Sequence, residues 1–532
     1  MATTPISMVV RKKVLTFEKV PMETSVGPGR RDVHHRIEIA GLVLSLALLA
    51  LGLASCRSAG EAVDEAPAIE RPNILFLFAD DQRTDTIGAW GHSRIQTPAI
   101  DSLVNRGTSF RNNFCMGSHH GAVCAPSRAM LMSGRHLFEV KENLADTPTM
   151  PQALAAVGYR TFGTGKWHNG EKAFDASFQS GKNVFFGGMC DHTSVLVRDK
   201  PLGGDLTEKR DGGGFSSELF ADAAIEFLEG ERDPDTPFFA YVAFSAPHDP
   251  RQPPKRWLDH YAKRRPPLPG NFMRLHPFHN GWMNGRDEKL AAWPRDPEVI
   301  RDQLAEYYGM ISHLDEQVGR ILECLARQDL LENTIVVYTA DHGLALGSHG
   351  LLGKQSLYEH SMKAPLVIAG PGVPKGSTDA LTYLFDLVPT LCSMAGATTP
   401  EGYAGSDLTP VLADNDARVR DVLVTSYEDK MRAIRDERWK LIVYPQRNHA
   451  QLFDLRLDRS ELTNLAQRLD YADKRRELEA RLRAELDRLG DETPLSSDDP
   501  KPLEYDPSGW RRAPDRWQPA WIVEKYFQGE TR

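Results

Sequence analysis

The first strongly patterned stretch of the chain is Asn73-Ile74-Leu75-Phe76-Leu77-Phe78-Ala79-Asp80-Asp81. Six apolar residues follow one another without a polar break, which predicts a strand buried on both faces, as in a parallel sheet. It stops at two carboxylates. Three other segments repeat the arrangement: residues 159–163 run into Gly165-Lys166-Trp167-His168, 238–244 into Ala246-Pro247-His248-Asp249, and 334–339 into Ala340-Asp341-His342-Gly343. Helical periodicity lies between them at 100–106, 150–157, 216–228 and 302–327. Strands alternating with helices predict an α/β fold, a large mostly parallel sheet sandwiched by helices. Ligands of open α/β sheets bind beyond the carboxyl ends of the strands. Each of these four segments ends in charged or titratable groups, so the ends are expected to share one rim.

The pattern changes from about residue 422. Segments 422–426, 431–435 and 439–443 read as short strands, Leu452-Phe453-Asp454-Leu455 follows, and 471–489 reads as a helix with charged faces. This predicts a smaller C-terminal antiparallel sheet plus helix. The chain therefore divides into a leader (1–55), a linker (56–70), a catalytic α/β domain (71–415), a C-terminal subdomain (416–492) and an extended tail (493–532). The tail is rich in Pro, Asp and Trp and is expected to run along the surface. Residues 250–297 are rich in Pro, Trp, His and Arg with little periodicity. Such an insertion, directly after His248, is either a wall of the substrate pocket or a surface excursion.

The leader holds an apolar run, 39–54, after His34-His35-Arg36 and before Ser55-Cys56. A basic flank, a short apolar core and a small-residue cleavage site make a secretory signal. The ending resembles a bacterial lipobox, with Cys56 as the lipidated first residue and a lipid anchor in the membrane. An uncleaved anchor is the competing reading, and the polar stretch before the run allows a later start at Met8 or Met22. Net charge is −9 over 532 residues, which gives no support for nucleic acid as a partner. Of six cysteines, Cys115, Cys190, Cys324 and Cys392 are available for disulfides, with no spacing that fixes a pairing. No CxxC pair suggests structural zinc.

The remaining cysteine carries the chemistry. In Cys124-Ala125-Pro126-Ser127-Arg128, Pro126 favours a first helical turn, and 129–132 continue as an inward-packing helix. Cys124 is thus expected at a helix N-terminus, where negative charge is favoured, with Arg128 one turn on. Alone, this is equally a core thiol beside an arginine. Cys-x-Pro-Ser-Arg with the following Leu131-Met132-Ser133-Gly134-Arg135 resembles the motif of the type I sulfatases of the alkaline phosphatase superfamily. The order Arg-x-Ile-Arg, Trp-Lys-Leu-Ile, Leu-Phe-Asp-Leu, Asn-Leu between 432 and 465 is similar to their C-terminal subdomain. The resemblance spans roughly residues 71–468. It implies that a maturation enzyme oxidises Cys124 to formylglycine, whose aldehyde hydrate is the nucleophile.

Asp80, Asp81 and Asp341 offer the hard oxygen ligands that calcium or magnesium requires. Adjacent buried carboxylates repel and imply a cation or a basic partner. The resemblance makes Asp80, Asp81, Asp341 and His342 the metal ligands, with position 124 completing the shell and calcium the first choice of ion. Imidazole nitrogen is an unusual calcium ligand, so His342 is either a ligand or a residue behind one. Sulfate ester hydrolysis needs cations at the sulfuryl oxygens, a nucleophile and an acid for the departing alcohol. Lys166 and Lys354 are candidates to hold sulfate, His248 to be the acid, and Arg128 and His168 to hold the aldehyde hydrate and assist its collapse. One hydroxyl of that hydrate would attack sulfur and the other would then expel sulfate. Gln82 and Arg83 are subsidiary candidates, His119 and His120 are expected in a polar loop or at the entrance, and His313 and Asp315 in helix packing. The sequence is thus expected to be that of an exported, lipid-anchored sulfatase, periplasmic or at the cell surface, acting on sulfated carbohydrate. The alternatives are a phosphonate monoester hydrolase or phosphodiesterase of the same superfamily and a non-catalytic glycan-binding lipoprotein.

Overall fold

The computed structural model describes residues 71–232 and 235–527. The leader, the linker and Cys56 lie outside the described residues. A ten-stranded sheet runs in the order Gly376–Tyr383, Thr108–Phe114, Leu366–Ala369, Thr334–Ala340, Asn73–Ala79, Phe238–Ala243, Arg160–Lys166, Ser180–Phe185, Leu196–Lys200, Arg210–Asp211. Thr334–Ala340, Asn73–Ala79, Phe238–Ala243 and Arg160–Lys166 are adjacent and parallel. The four strand ends singled out by the hydrophobic pattern therefore stand side by side. Leu366–Ala369 and Leu196–Lys200 are the strands that run against the rest.

The unbroken apolar run of Asn73–Ala79 is explained by the two layers that it serves. Ile74, Phe76 and Phe78 enter a core with Phe239, Tyr241 and Trp167 on one face. Leu75, Leu77 and Ala79 face the other core, with Met310, Leu314, Val318 and Ile321 of the Pro297–Arg327 helix. Each of these large side chains contributes about 1.5–3 kcal/mol by burial. That helix starts five residues before the expected 302. Asp296 caps it by accepting from Glu298 N at 2.7 Å and Val299 N at 3.4 Å, and Pro297 occupies the first position.

The second sheet is His449–Asp454, Trp439–Tyr444, Met431–Arg435 and Leu423–Tyr427, all antiparallel, with Gly117–Ser118 added in parallel at its edge. Helix Ala472–Arg488 covers it through Leu478, Leu482 and Leu486. The edge strand comes from the segment just ahead of Cys124, so this sheet is stitched to the loop that carries the motif. The insertion holds a helix, Lys255–Lys263. The described part of the tail holds another, Ala520–Phe527, whose Ile522 and Tyr526 are buried. The five described cysteines, Cys115, Cys124, Cys190, Cys324 and Cys392, are all buried free thiols. No helix among the described residues is long and apolar enough to cross a membrane.

Candidate active site

Cys124 opens the helix Cys124–Ser133, all ten residues of which are buried. Gly134 ends it in the left-handed conformation at φ 72°. One turn after Cys124, Arg128 lies over the Phe78 ring at 4.7 Å. Its guanidinium donates to Lys166 O at 3.0 Å and Asp341 Oδ2 at 3.2 Å, and lies 3.4 Å from Asp80 Oδ1. Ser127 Oγ donates to Asp341 O at 2.8 Å. The helix start is thus tied to the ends of three strands.

Those ends are shaped to present their side chains. Asp81 sits at φ 66°, uncommon outside glycine, and its N–H donates to Asp341 Oδ1 at 3.0 Å. Tyr307 Oη, from the long helix, donates to Asp81 O at 2.6 Å. In Arg160–Lys166 the pairing with the next strand slips between Gly163 and Gly165, a bulge that aims Lys166 at the rim. Gly165 is required there: its φ is +86°, and a Cβ would lie 1.9 Å from Ala243 O.

The resulting centre is dense in charge and buried except at His168, which is half-buried. Lys166 Nζ pairs with Asp80 Oδ2. Lys354 Nζ donates to both Asp81 oxygens, at 2.8 and 2.9 Å, and lies 3.2 Å from Cys124 Sγ. His248 Nε2 lies 3.7 Å from Asp81 Oδ2, and its Nδ1 donates to Asp249 O at 2.7 Å. His342 Nδ1 donates to Gly343 O at 2.9 Å, which directs Nε2 to Asp81 Oδ1 at 3.4 Å and Asp341 Oδ1 at 3.7 Å. His168 lies beside the Cys124 thiol, and its Nδ1 is buried without a partner.

Electrostatics follow from this geometry. Burial opposes a thiolate at Cys124, yet Lys166 and Lys354 hold its pKa well below the ordinary value. Burial also opposes charge on His248 and His342, but the carboxylates beside them, Asp81 for His248 and Asp341 with Asp81 for His342, push both up to about 9. Burial raises Asp81 to about 6 against the pull of His248 and Lys354. His168, buried beside cations, is shifted down and kept neutral.

The donor set fits a divalent cation. Ligand atoms of Asp81, Cys124, Asp341 and His342 lie within 4.8 Å of one another, all buried. Asp80 Oδ1 and His342 Nε2 are buried without a hydrogen-bond partner, a condition that a metal would relieve. Asp80 stands beside that group of four, its other oxygen taken by Lys166.

The structure therefore gathers Asp80, Asp81, Cys124, Arg128, Lys166, His168, His248, Asp341, His342 and Lys354. The subsidiary candidates point elsewhere. Gln82 bonds Thr86 and Tyr338, and Arg83 bonds Asp85, Leu344 O and Ala345 O. His119 donates to Leu137 O, His120 pairs with Glu142, and both are exposed. His313 pairs with Glu218, and Asp315 accepts from Ala99 and Ile100 N–H at the start of a helix. Sequence reasoning missed Tyr241, 3.4 Å from Arg128, and a polar wall behind His248. In that wall Arg286 of the insertion binds Asp249 and Asp287, and Gln355 joins Asp287 to Gly121 O. No local motif announces these residues; only the fold brings them together.

Known proteins resemble this chain over most of its length. A family model described as Sulfatase matches residues 72–397, and one described as N-sulphoglucosamine sulphohydrolase, C-terminal, matches residues 347–488. The chain is 28% identical over 518 residues to an N-acetylglucosamine-6-O-sulfatase of Bacteroides thetaiotaomicron, covering 82% of this chain and 89% of that protein. It is 28% identical over 453 residues to an arylsulfatase of Clostridium perfringens, covering 76% and 92%. A structure solved in complex with its substrate D-glucosamine-2-N,6-O-disulfate superposes with a TM-score of 0.68 at 23% identity, covering 80% of this chain and all of that one.

Proposed function

The chain belongs to the sulfatase family, and from that premise we propose that it hydrolyses sulfate esters of carbohydrates with formylglycine at position 124 and one divalent cation. The observation that carries this is the meeting of Cys124 with two lysines, three aspartates and three histidines at one rim. The sulfated-sugar preference rests on the first relative's name and on the substrate in the superposed structure.

Asp80, Asp81, Asp341 and His342 would hold the cation, calcium by first choice and magnesium as the alternative, which would supply Lewis-acid polarisation of the sulfuryl oxygens. Formylglycine, when present, would supply a hydrated aldehyde as nucleophile. Lys166 and Lys354 flank position 124 and face the place where sulfate charge develops. Arg128 fixes the helix start and presents positive charge to the same point. His168, neutral and beside position 124, is placed to accept a proton from a hydroxyl there. His248, as an imidazolium, donates Nδ1–H to Asp249 O and turns Nε2–H to the centre as the acid for the departing alcohol. Export and attachment through a lipid at Cys56 belong to the same reading and rest on the leader sequence alone.

The first test is peptide mass spectrometry of the segment containing residue 124 from protein made in its native host. Formylglycine is expected; an intact thiol in folded, exported protein would overturn the mechanism. Rates on matched sulfate and phosphate esters then separate a sulfatase from a phosphonate or phosphodiester hydrolase, with sulfate expected to be faster. Chelation should lower both turnover and Tm, and calcium should restore them.

A further inference from the structure

We propose that Asp515 and Gln518, in the C-terminal tail, are positioning residues for His248, acting through Arg286 and Asp249. This rests on the reading that His248 protonates the departing alcohol. A carbonyl oxygen can only accept, so the 2.7 Å bond from His248 Nδ1 to Asp249 O fixes which nitrogen faces the centre. The orientation of the ring is therefore that of the Asp249 backbone.

That backbone is held by its own side chain. Asp249 is 5% exposed. Its Oδ1 accepts from Arg286 Nη1 at 2.7 Å, and its Oδ2 accepts from Gln518 Nε2 at 3.0 Å and lies 2.6 Å from Arg286 Nη2. Burial opposes its charge, yet Arg286 and His248 hold the carboxyl well below its ordinary range. Arg286 is in turn anchored by Asp515, which accepts from its Nε at 2.6 Å. Its Nη1 also reaches Asp287 at 3.1 Å, whose other oxygen takes Gln355, the neighbour of Lys354. One guanidinium thus braces both the acid and the sulfate-side lysine, and the tail supplies the bond to its inner nitrogen.

The tail does not depend on these two bonds for its own placement. Tyr505 Oη donates to His276 O at 2.6 Å, and Trp510 packs on Tyr505 and Trp293. Lys525 and Tyr526 both bond Glu306. Removing the Asp515 or Gln518 side chain should leave the tail seated while releasing Arg286 and Asp249.

The test uses the full chain carrying formylglycine and a series of ring-substituted phenyl sulfates, from 4-nitro to 4-methoxy. A nitrophenolate departs without an acid; a methoxyphenolate needs one. Asp515→Ala and Gln518→Ala should each lower kcat on the 4-methoxy ester about tenfold and on the 4-nitro ester less than about threefold, with KM moving less than about twofold. In a His248→Ala background neither substitution should cause further loss, and Asp515→Glu should recover most of the rate. Equal losses across the series, losses that add to those of His248→Ala, or unchanged rates would each overturn the inference. Absence of any turnover by the modified parent, on these esters and on sulfated sugars alike, would instead overturn the functional reading beneath it.

Discussion

The rim of the large sheet and the seam where the insertion meets the second sheet bury ionisable groups by opposite rules. At the rim, Asp80, Asp81 and Asp341 face Lys166, Lys354 and Arg128, so burial is met by opposite charge. At the seam, His276, His349 and His360 are buried with hydrogen bonds to oxygen but no carboxylate among the partners of their rings. Burial there drives His276 down to about 3 and His349 to about 4, and holds His360 well below its ordinary value. The same residue type is thus raised where a carboxylate faces it, at His248 and His342, and lowered where none does, at the seam and at His168 of the rim. Countercharge is the deciding variable: a site that must handle an anion keeps its cations, and packing that only needs shape keeps its histidines neutral.

The comparison breaks most sharply at position 124. Cys124→Ala removes the precursor of the nucleophile while the paired charges around it remain. Turnover of sulfate esters is expected to fall by at least about four orders of magnitude, and binding of a sulfated ligand should persist. Kinetics with calorimetric binding would check both halves. Survival of turnover would mean that the charged rim acts without formylglycine.

A smaller effect, on stability, tests whether the rim depends on pairing. Lys166 and Asp80 are both fully buried. Lys166→Met leaves Asp80 with only Arg128, at 3.4 Å, and should cost about 3–5 kcal/mol, the usual consequence of removing one partner of a buried pair. Denaturant unfolding with and without calcium measures it. Added calcium should recover part of the loss, because the ion can take over the orphaned carboxylate. A neutral result would show that the pair contributes no net stability.

The two regions also differ in how far they could be read from the sequence. Asp80 and Asp81 follow an unbroken apolar run, and that run is a strand because one side of Asn73–Ala79 feeds each core. The expected strand starts agree with the structure to within a residue. Thr334–Ala340, Asn73–Ala79, Phe238–Ala243 and Arg160–Lys166 are neighbours, which no single segment states but which alternation with helices implies. The wall behind His248 was not legible. Asp249, Arg286, Asp287, Gln355, Asp515 and Gln518 come from four separated stretches, with no periodic pattern relating them. Their convergence depends on how the insertion and the tail drape over the sheet, and side-chain hydrogen bonds decide that. The seam was hidden for the same reason: His276, His349 and His360 are joined only by tertiary packing.

The smallest effect sharpens the contrast through pH. A histidine whose pKa is lowered by folding binds its proton in the unfolded chain first. Protons therefore favour unfolding, and stability falls as pH drops from about 6.5, the unfolded value, toward the folded value. For His276 that window runs from about 6.5 to about 3, and for His349 from about 6.5 to about 4. Each such histidine adds a slope of up to about 1.4 kcal/mol per pH unit within its window. Between pH 6 and 5, above the range where most carboxylates titrate, Tm should fall steadily. His276→Asn keeps a donor for His349 O, where the imidazole Nδ1 now reaches at 2.9 Å, and removes one titrating group. It should flatten the slope by about one proton's worth, whatever it does to Tm at pH 7. An unchanged slope would mean that the His276 ring takes up its proton in the folded protein as readily as in the unfolded chain, and the seam would then follow the rule of the rim.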